Sequence, residues 1–285
     1  MKKLSDIGTI KEILTKYGFS FSKALGQNFL VNPSVCPKMA EMGGAKDGVG
    51  VIEVGPGIGV LTYELAKRAD KVAAIELDKR LLPVLDETLE EFDNVKIIND
   101  DVLKIDLHKL IEEEFSGLDV VVCANLPYYI TSPVIMKLLE DKLPIKSITV
   151  MVQKEAADRL CATLGTRQTG AVTVAVNYYA KAEMLFKVSS GSFMPPPKVD
   201  SAVIKLDVYE EPVVKTDSEE MLFRVIKAAF AQRRKTLLNT LSNSMQFTKT
   251  DISKALDSAG IPQTARAEQL KLEDFAAIAD ELNGL

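Results

Sequence analysis

The hydrophobic pattern between residues 49 and 152 alternates short apolar runs with segments of helical periodicity. Five runs are rich in β-branched residues: "GVGVIEVG", "KVAAIELD", "NVKIIND", "LDVVVCAN" and "KSITVMVQ". Short apolar runs separated by helix-length segments are typical of parallel strands that are buried on both faces. The pattern therefore predicts an α/β domain with a doubly wound, mostly parallel sheet.

Two further patterns flank these five strands. Before them, "VNPSVCPKMAEM" predicts a short helix with Asn32 as its N-cap and Pro33 at its first position. After them, "AVTVAVNYYA" and "SAVIKLDVY" predict two more strands, joined by the Gly- and Pro-rich loop "SSGSFMPPPKVD". Together these elements predict one domain over residues 1–208.

The remaining chain has a different pattern. It is acidic near Tyr209 to Asp217, and from Ser218 its apolar positions follow helical periodicity. Helices are predicted at about 218–230, 233–243, 249–259 and 272–282. We therefore expect a small, all-helical C-terminal domain over residues 209–285.

Composition narrows the class of protein. A chain of 285 residues with 47% hydrophobic residues can build one sizeable domain and a smaller one. Cys36, Cys123, Cys161 and the single histidine, His108, share no metal-ligand or disulfide spacing. No segment has the apolar length of a membrane span or of a signal peptide. We expect a reduced, cytoplasmic protein without metal.

A glycine-rich turn and two acidic positions suggest a nucleoside site. Gly55 and Gly57 in "VIEVGPGIGV" lie at a strand-to-helix turn, where missing Cβ atoms let a ligand approach. The spacing fits neither a dinucleotide fingerprint nor a P-loop, so a purely structural turn remains open. Glu76 ends the next strand and could accept hydrogen bonds from ribose hydroxyls. Asp100 or Asp101 follows the third strand and could accept one from an adenine amine.

The negative charge of these groups narrows the choice of nucleoside ligand. No cation that could bind a pyrophosphate accompanies them, and Glu53 adds another acid. S-adenosyl-L-methionine fits this pattern, because it is an adenosine without phosphates that carries a sulfonium and an amino group. Each acid alone is more typical of a strand end or an N-cap than of a ligand site. Their recurrence after successive strands favours a ligand site, because open α/β sheets bind ligands at that edge.

The stretch "CANLPYYITSP" brings polar and aromatic residues to the same edge. The Asn125 side chain and the Leu126 carbonyl could accept both N–H bonds of an exocyclic base amine. Pro127 would stiffen the turn and Tyr128 could stack on the base. Tyr129 is expected to pack. The alternative is a loop whose tyrosines only pack against the core.

With these residues in view, the sequence resembles the small-subunit rRNA adenine N6,N6-dimethyltransferases, which are class I S-adenosylmethionine-dependent enzymes. Seven stretches have the family's form and order: "KALGQNFLVNPSV", "VIEVGPGIGVLT", "AIELDKRL", "NDDVLKID", "ANLPYYITSPVI", "FMPPPKVDSAVI" and "AAFAQRRKTLLNTL". Relatives that methylate large-subunit rRNA and give macrolide resistance share the cofactor motifs. They usually lack the "NLPYYITSPVI" and "RRKTL" forms, which favours the small-subunit branch.

The resemblance implies roles for individual residues. Phe193 would pack on the target base opposite Tyr128, although it could also be only a hydrophobic anchor. The catalytic set is Asn125, Leu126, Pro127, Tyr128 and Phe193. The cofactor-binding set is Asn28, Leu30, Gly55, Gly57, Glu76, Asp101 and Asn125.

The resemblance also implies the substrate. It would be two adjacent adenosines in a hairpin near the 3′ end of small-subunit (16S) rRNA, within an assembling 30S subunit. We expect a monomer with no metal and no membrane association.

The overall charge of −5 does not favour RNA binding, and residues 208–285 hold ten Lys and Arg against twelve Asp and Glu. A local basic surface is still possible on an acidic chain. If 221–235 forms one helix, its basic residues lie opposite its apolar face. A solvated helix face is the alternative. The predicted RNA-binding residues are Lys23, Arg224, Lys227, Arg233, Arg234 and Lys235.

Two other functions remain open. The same chemistry could act on large-subunit rRNA or on DNA adenine. A non-catalytic ribosome-assembly factor could also retain this fold.

Overall fold

The computed structural model describes residues 4–19 and 28–285. Its strands are β1 Phe29–Leu30, β2 Val49–Val54, β3 Lys71–Ile75, β4 Val95–Ile98, β5 Asp119–Asn125, β6 Ser147–Gln153, β7 Ala180–Val188, β8 Phe193–Met194 and β9 Ser201–Val208. Its α-helices are α1 Ile7–Lys16, α2 Val35–Met42, α3 Val60–Ala66, α4 Leu82–Thr88, α5 Leu107–Glu114, α6 Thr131–Glu140, α7 Lys154–Leu160, α8 Ala171–Tyr179, α9 Glu219–Ala229, α10 Leu237–Ser244, α11 Lys249–Ser258 and α12 Leu272–Asn283.

Seven strands form one sheet in the order β4-β3-β2-β5-β6-β9-β7. The pairs from β4 to β6 are parallel, and β9 is antiparallel to β6. The chain runs from β2 outward through β3 to β4 and then returns to β5 on the other side of β2. This reversal lies between β2 and β5, and such a switch point leaves a crevice at the carboxyl ends of the strands. The predicted doubly wound α/β fold is confirmed.

The central strands form the middle of the core. Every residue of β2 is buried, and Val122, Cys123 and Ala124 in the neighbouring β5 are at most 1% exposed. Such continuous burial explains why the apolar runs of these strands show little alternation with polar residues, and the buried Glu53 near the end of β2 is an exception. The sheet is therefore covered on both faces, and only strand ends and their loops can present polar groups to a ligand.

The chain divides into two compact units. One comprises Met1–Ala157 and Glu183–Val208, and the other comprises Asp158–Ala182 and Tyr209–Leu285. The predicted domain boundary after residue 208 is also a boundary between these units. The predicted division differs in one respect, because Asp158–Ala182 belongs with the C-terminal helices.

That segment also differs from its predicted secondary structure. "AVTVAVNYYA" was predicted as a strand, but its first nine residues form α8, and the next strand, β7, begins only at Ala180. The Thr173 hydroxyl accepts the Gly170 N–H at the start of the helix, at 3.0 Å. At its other end, the Tyr179 ring stacks on Phe223 with centroids 5.5 Å apart. Tertiary packing therefore overrides the β propensity of a Val- and Tyr-rich run.

The start of α2 also differs from the prediction. The helix begins at Val35 and its N-cap is Ser34, not Asn32. The Asn32 side chain instead accepts the backbone N–H of Ser34, at 3.1 Å, and the Ser34 hydroxyl, at 2.8 Å. This local turn satisfies the amide before the helix begins, so Pro33 lies in the turn.

All four predicted C-terminal helices are present, but the second starts later than predicted. The Ser218 side chain caps α9, and α9 ends at Ala229, where the Phe230 N–H bonds to the carbonyl of Ile226. Residues 230–235 form turns, and α10 starts at Leu237. A single helix over 221–235, which the predicted basic stripe required, is therefore wrong.

No helix in the described ranges is both long and apolar enough to cross a membrane. Within the same residues, no three His, Cys, Asp or Glu side chains are grouped as a metal site would need.

Candidate active site

The glycine turn after β2 requires glycine at both predicted positions. Gly55 has φ +70° and Gly57 has φ +62°, values that other residues rarely adopt. A Cβ at Gly55 would lie 3.9 Å from Cδ of Pro127, and one at Gly57 would lie 3.3 Å from the Phe29 ring. The turn thus passes close to the Asn-Leu-Pro-Tyr loop on one side and to β1 on the other.

Glu76 follows β3 directly and is tied to the glycine turn. Its carboxylate accepts the N–H of Asp78 at 2.7 Å and the N–H of Gly57 at 3.3 Å. The side chain amide of Asn99 donates to the Glu76 carbonyl at 2.7 Å. Burial raises the pKa of Glu76, and the two backbone donors lower it in part. The carboxylate is therefore fixed in orientation beside the turn.

Glu53, in β2, is the most buried acid of the site, at 1% exposed. Burial raises its pKa to about 8; a nearby Thr62 hydroxyl opposes the rise and the Glu76 charge adds to it. Its Oε2 has no partner with hydrogen-bond geometry among the described residues. Such a buried, uncompensated carboxyl group favours a proton or a positively charged ligand.

Asp100 and Asp101, the two acids that follow β4, line the same cavity as Glu53 and Glu76. The Asp101 carboxylate accepts the Leu103 N–H at 3.0 Å and lies 3.7 Å from Nζ of Lys104, and Asp100 accepts the N–H of Asp101 at 2.7 Å. Val102, which is 6% exposed, adds an apolar wall beside them. An acid next to an apolar surface suits the polar edge and the flat face of a base.

The Asn-Leu-Pro-Tyr loop begins at the last residue of β5. Asn125 is half-buried, and the Leu126 side chain is 1% exposed. The Tyr128 hydroxyl forms a 2.7 Å hydrogen bond with the hydroxyl of Ser201, which is fully buried. Ser201, which directly follows the "PPPKVD" stretch, is not among the predicted site residues. Tyr129 does not pack as expected, because 54% of it is exposed.

A small two-stranded ribbon of β1 and β8 places Phe193 in the lining of the same cavity as the Asn-Leu-Pro-Tyr loop. β1 and β8 pair antiparallel, so that Leu30 lies opposite Phe193. Phe193 is 4% exposed and packs in the core cluster that also contains Leu30 and Met39. The hydrophobic-anchor interpretation is therefore correct in part, and Phe193 also lines the cavity described next.

One cavity collects all the predicted catalytic and cofactor-binding residues. It encloses about 1070 Å³ of empty space, which includes its open mouth. Its lining contains Asn28, Leu30, Gly55, Gly57, Glu76, Asp101, Asn125, Leu126, Pro127, Tyr128 and Phe193. Glu53 and Asp100 complete a set of four carboxyl groups. Among the described lining residues there is no Lys, Arg or His. These residues fit an adenosine that carries positive charge and no phosphate.

The predicted RNA-binding residues do not form the single stripe that was expected. Arg224 and Lys227 are exposed on α9, as predicted. Arg233, Arg234 and Lys235 are exposed in the turns that follow α9, so their directions are set by those turns. Lys23 lies outside the described residues.

Known sequences are similar to this chain over almost its whole length. Residues 18–284 match the model of a family described as ribosomal RNA adenine dimethylase. The chain is 50% identical over 285 residues to ribosomal RNA small subunit methyltransferase A of Geobacillus thermodenitrificans (strain NG80-2), covering 99% of this chain and 97% of that one. It is 48% identical over 283 residues to the protein of the same name from Alkaliphilus oremlandii (strain OhILAs), covering 99% of both chains.

Among solved structures with this fold, one is described as a dimethyladenosine transferase and another as a 23S rRNA methyltransferase. A dimethyladenosine transferase from Plasmodium falciparum is 28% identical with a TM-score of 0.74, covering 90% of this chain and 98% of that one. The 23S rRNA methyltransferase ErmE is 27% identical with a TM-score of 0.67, covering 90% of this chain and all of that one.

Proposed function

The chain belongs to the ribosomal RNA adenine dimethylase family, and on this premise we propose that it transfers methyl groups from S-adenosyl-L-methionine to adenine N6 in small-subunit rRNA. The 50% identity to a small-subunit enzyme, against 27% to a 23S rRNA enzyme, favours the small-subunit substrate over the large-subunit alternative. The presence of every catalytic motif position in one cavity is evidence against a non-catalytic assembly factor.

One observation carries the proposal at the level of chemistry. Four carboxyl groups and no described cation line a cavity that ends at an Asn-Leu-Pro-Tyr loop. A dinucleotide or nucleotide triphosphate would bring phosphates into an acidic site and be repelled. S-adenosylmethionine brings a sulfonium and an ammonium group, for which buried carboxylates are favourable partners.

We assign the following roles to the cavity residues. Glu76, which is oriented by the N–H of Gly57, would bind the ribose hydroxyls, and Asp101 would accept from the adenine amine of the cofactor. Gly55 and Gly57 would allow the cofactor to approach the backbone. Asn28 and Leu30 would close the site from the β1 side.

The target base would lie at the Asn-Leu-Pro-Tyr loop. Asn125 and the Leu126 carbonyl would accept the two N–H bonds of N6 and favour a nitrogen whose lone pair is available for attack. Pro127 fixes the turn, and Tyr128 and Phe193 would hold the two faces of an unstacked base. The Ser201 hydroxyl, bonded to that of Tyr128, keeps this ring in place.

The transfer is a displacement at carbon. S-adenosyl-L-methionine would supply an electrophilic methyl group, so the N6 lone pair would form the new N–C bond as the C–S bond breaks, with the electron pair of the C–S bond left on a neutral thioether sulfur. The methylated nitrogen then loses one proton to water or a backbone acceptor. No strong base is needed, so the enzyme contributes mainly orientation and electrostatic stabilisation.

We infer that two adjacent adenosines in a hairpin near the 3′ end of the rRNA are each methylated twice, within an assembling 30S subunit. A loop adenosine suits the site, because a base must leave its stack to enter the cavity. The C-terminal helical unit would bind RNA, and the protein would act in the cytoplasm as a monomer without metal.

A direct assay separates these functions. Labelled S-adenosylmethionine is incubated with wild-type protein and isolated small subunits, large subunits or adenine-containing DNA. We expect dimethyladenosine only in small-subunit rRNA, as two adjacent residues by mass spectrometry. Transfer only to large subunits or DNA would refute the substrate, and no transfer to any of them would favour the assembly-factor alternative.

Cofactor binding should depend on pH through Glu53. A cationic ligand favours the ionised carboxylate, so binding should release a proton at pH values below about 8, the pKa of the free site. We expect affinity to rise with pH between 6 and 8, by at most about tenfold per pH unit, and then to level off. Calorimetry in buffers of different ionisation enthalpy measures both the affinity and the proton count.

The Glu53→Gln variant is the matched control. It should bind the cofactor more weakly and with little dependence on pH. Burial raises the folded-state pKa of Glu53 from its ordinary 4.5 to about 8, so the cofactor-free fold should lose stability as pH rises from about 4.5 to about 8, with no further loss above that pH. The melting temperature of the variant should therefore fall less than that of wild type between pH 6 and 9. Affinity that does not change with pH in the wild type contradicts this role.

A further inference from the structure

The guanidinium group of Arg233 is held by backbone carbonyls of its own unit, the one formed by Asp158–Ala182 and Tyr209–Leu285. Its Nη2 donates to the carbonyl of Arg167 at 2.9 Å and to that of Thr169 at 3.3 Å. The same nitrogen lies 3.6 Å from Oε2 of Glu268. A guanidinium Nη2 carries only two hydrogens, and both are directed at protein carbonyls. Arg233 therefore has less capacity to bind a phosphate than its position in the "RRK" sequence indicates.

The loop that Arg233 holds, residues 163–170, has its own internal structure. The N–H of Thr166 donates to the Thr169 hydroxyl at 3.1 Å, and both hydroxyls donate to the Thr163 carbonyl. Thr169 is fully buried. These bonds and those from Arg233 fix the backbone on both sides of Arg167. A fixed backbone reduces the conformational entropy that Arg167 loses when it binds a ligand.

Arg167 is exposed at the tip of this loop, and no described acid forms an ion pair with it. Arg234 and Lys235, which follow Arg233 in the chain, are exposed and likewise unpaired among the described residues. Residues 163–170 and 230–236 together contain four cations and no acid, although residues 208–285 contain more acids than bases. Glu268 offsets the charge of Arg233, so the excess positive charge where these two segments meet comes from Arg167, Arg234 and Lys235.

We propose that the loop 163–170 is a further RNA-binding element, in which Arg167 contacts a phosphate beside Arg234 and Lys235, and in which Arg233 is a positioning residue. A guanidinium fork matches a phosphate in a bidentate way. A protein interface would need large apolar side chains exposed at its centre, and these two segments expose none. The inference rests on the proposed function, because it names the surface by which that RNA is bound.

Binding of small subunits over a series of salt concentrations tests the role of Arg167. Arg167→Ala should weaken binding about five- to tenfold and reduce the slope of log affinity against log salt by about one. Arg167→Lys should retain most of the slope, because it retains the charge. Lys254→Ala, which removes an exposed cation from α11 in the same unit, is the control and should change neither quantity. Unchanged affinity in Arg167→Ala overturns the inference.

A double-mutant cycle tests the role of Arg233. If Arg233 acts by holding the loop, the loss of affinity in the double variant should be much smaller than the product of the two single losses, because Arg167→Ala should have little further effect once Arg233 is removed. Amide hydrogen exchange in residues 163–170 should rise in Arg233→Ala and not in Arg167→Ala. Independent, multiplicative effects with unchanged exchange would show that Arg233 is a phosphate contact instead.

Failure of the inference differs from failure of the proposed function. Wild-type protein that methylates small subunits while Arg167→Ala binds them normally refutes only the role of the loop. Wild-type protein that neither binds nor methylates small subunits refutes both.

Discussion

Replacing Asn125 with alanine should reduce kcat for methyl transfer about 100- to 1000-fold while RNA binding stays close to the wild-type value. The variant removes the carbonyl oxygen that accepts an N–H of the target amine as its nitrogen becomes tetrahedral. Among the described residues, no hydrogen bond involves the half-buried Asn125 side chain, so the fold should be little affected. Single-turnover transfer from labelled cofactor to small subunits measures the effect.

The control for this experiment is Asn283→Ala. It removes the same atoms from an exposed residue at the end of α12, outside the cavity, and should have wild-type activity. Binding of small subunits and the melting temperature are measured for both variants. Full activity in Asn125→Ala with a correct fold would overturn the catalytic assignment. Loss of activity together with a lowered melting temperature in Asn125→Ala would indicate a structural effect instead.

Glu76→Ala should weaken cofactor binding by about 100-fold or more. Hydrogen bonds to a charged group contribute about 1.5–3 kcal/mol each, and every 1.4 kcal/mol is a factor of ten in affinity. Glu76 would accept two such bonds from the ribose, and its loss also frees the N–H of Gly57. Calorimetric titration with S-adenosylmethionine measures the change in Kd.

Two companion variants sharpen this test. Glu76→Gln keeps the shape and an acceptor oxygen but loses the charge, so its affinity should lie between those of wild type and Glu76→Ala. Glu64→Gln removes an acid on α3 that pairs with Arg68 and does not line the cavity, and it should bind the cofactor normally. Affinity of Glu76→Ala within threefold of wild type contradicts the ribose role.

Much of the site was accessible from local sequence. Glu76, Asp101 and Asn125 each follow or end a parallel strand, and the carboxyl ends of such strands meet at one edge. The five short apolar runs between residues 49 and 152 predicted strands that are present, and the glycine turn was predicted from the backbone freedom of Gly55 and Gly57. These properties depend on neighbours in the chain, so they can be predicted without coordinates. The resemblance added Phe193, whose place at the cavity depends on the pairing of β8 with β1.

Three features depended on contacts between distant residues. The run that became α8 has the composition of a strand, and its packing on Phe223 decides the outcome. Ser201 acquires its role only because Tyr128 reaches it from 73 residues away in the chain. Arg233 appears in sequence as one of three adjacent cations, yet its guanidinium is bound by carbonyls 64 and 66 residues earlier.

The sequence by itself determined the α/β fold, the nucleoside-binding edge and the family, because these follow from periodicity and from motifs that are contiguous in the chain. Only the tertiary structure decided which cations are free, which tyrosine is anchored and where α9 ends. Those outcomes depend on hydrogen bonds and ring packing between segments far apart in sequence, and local propensity contains no information about such partners.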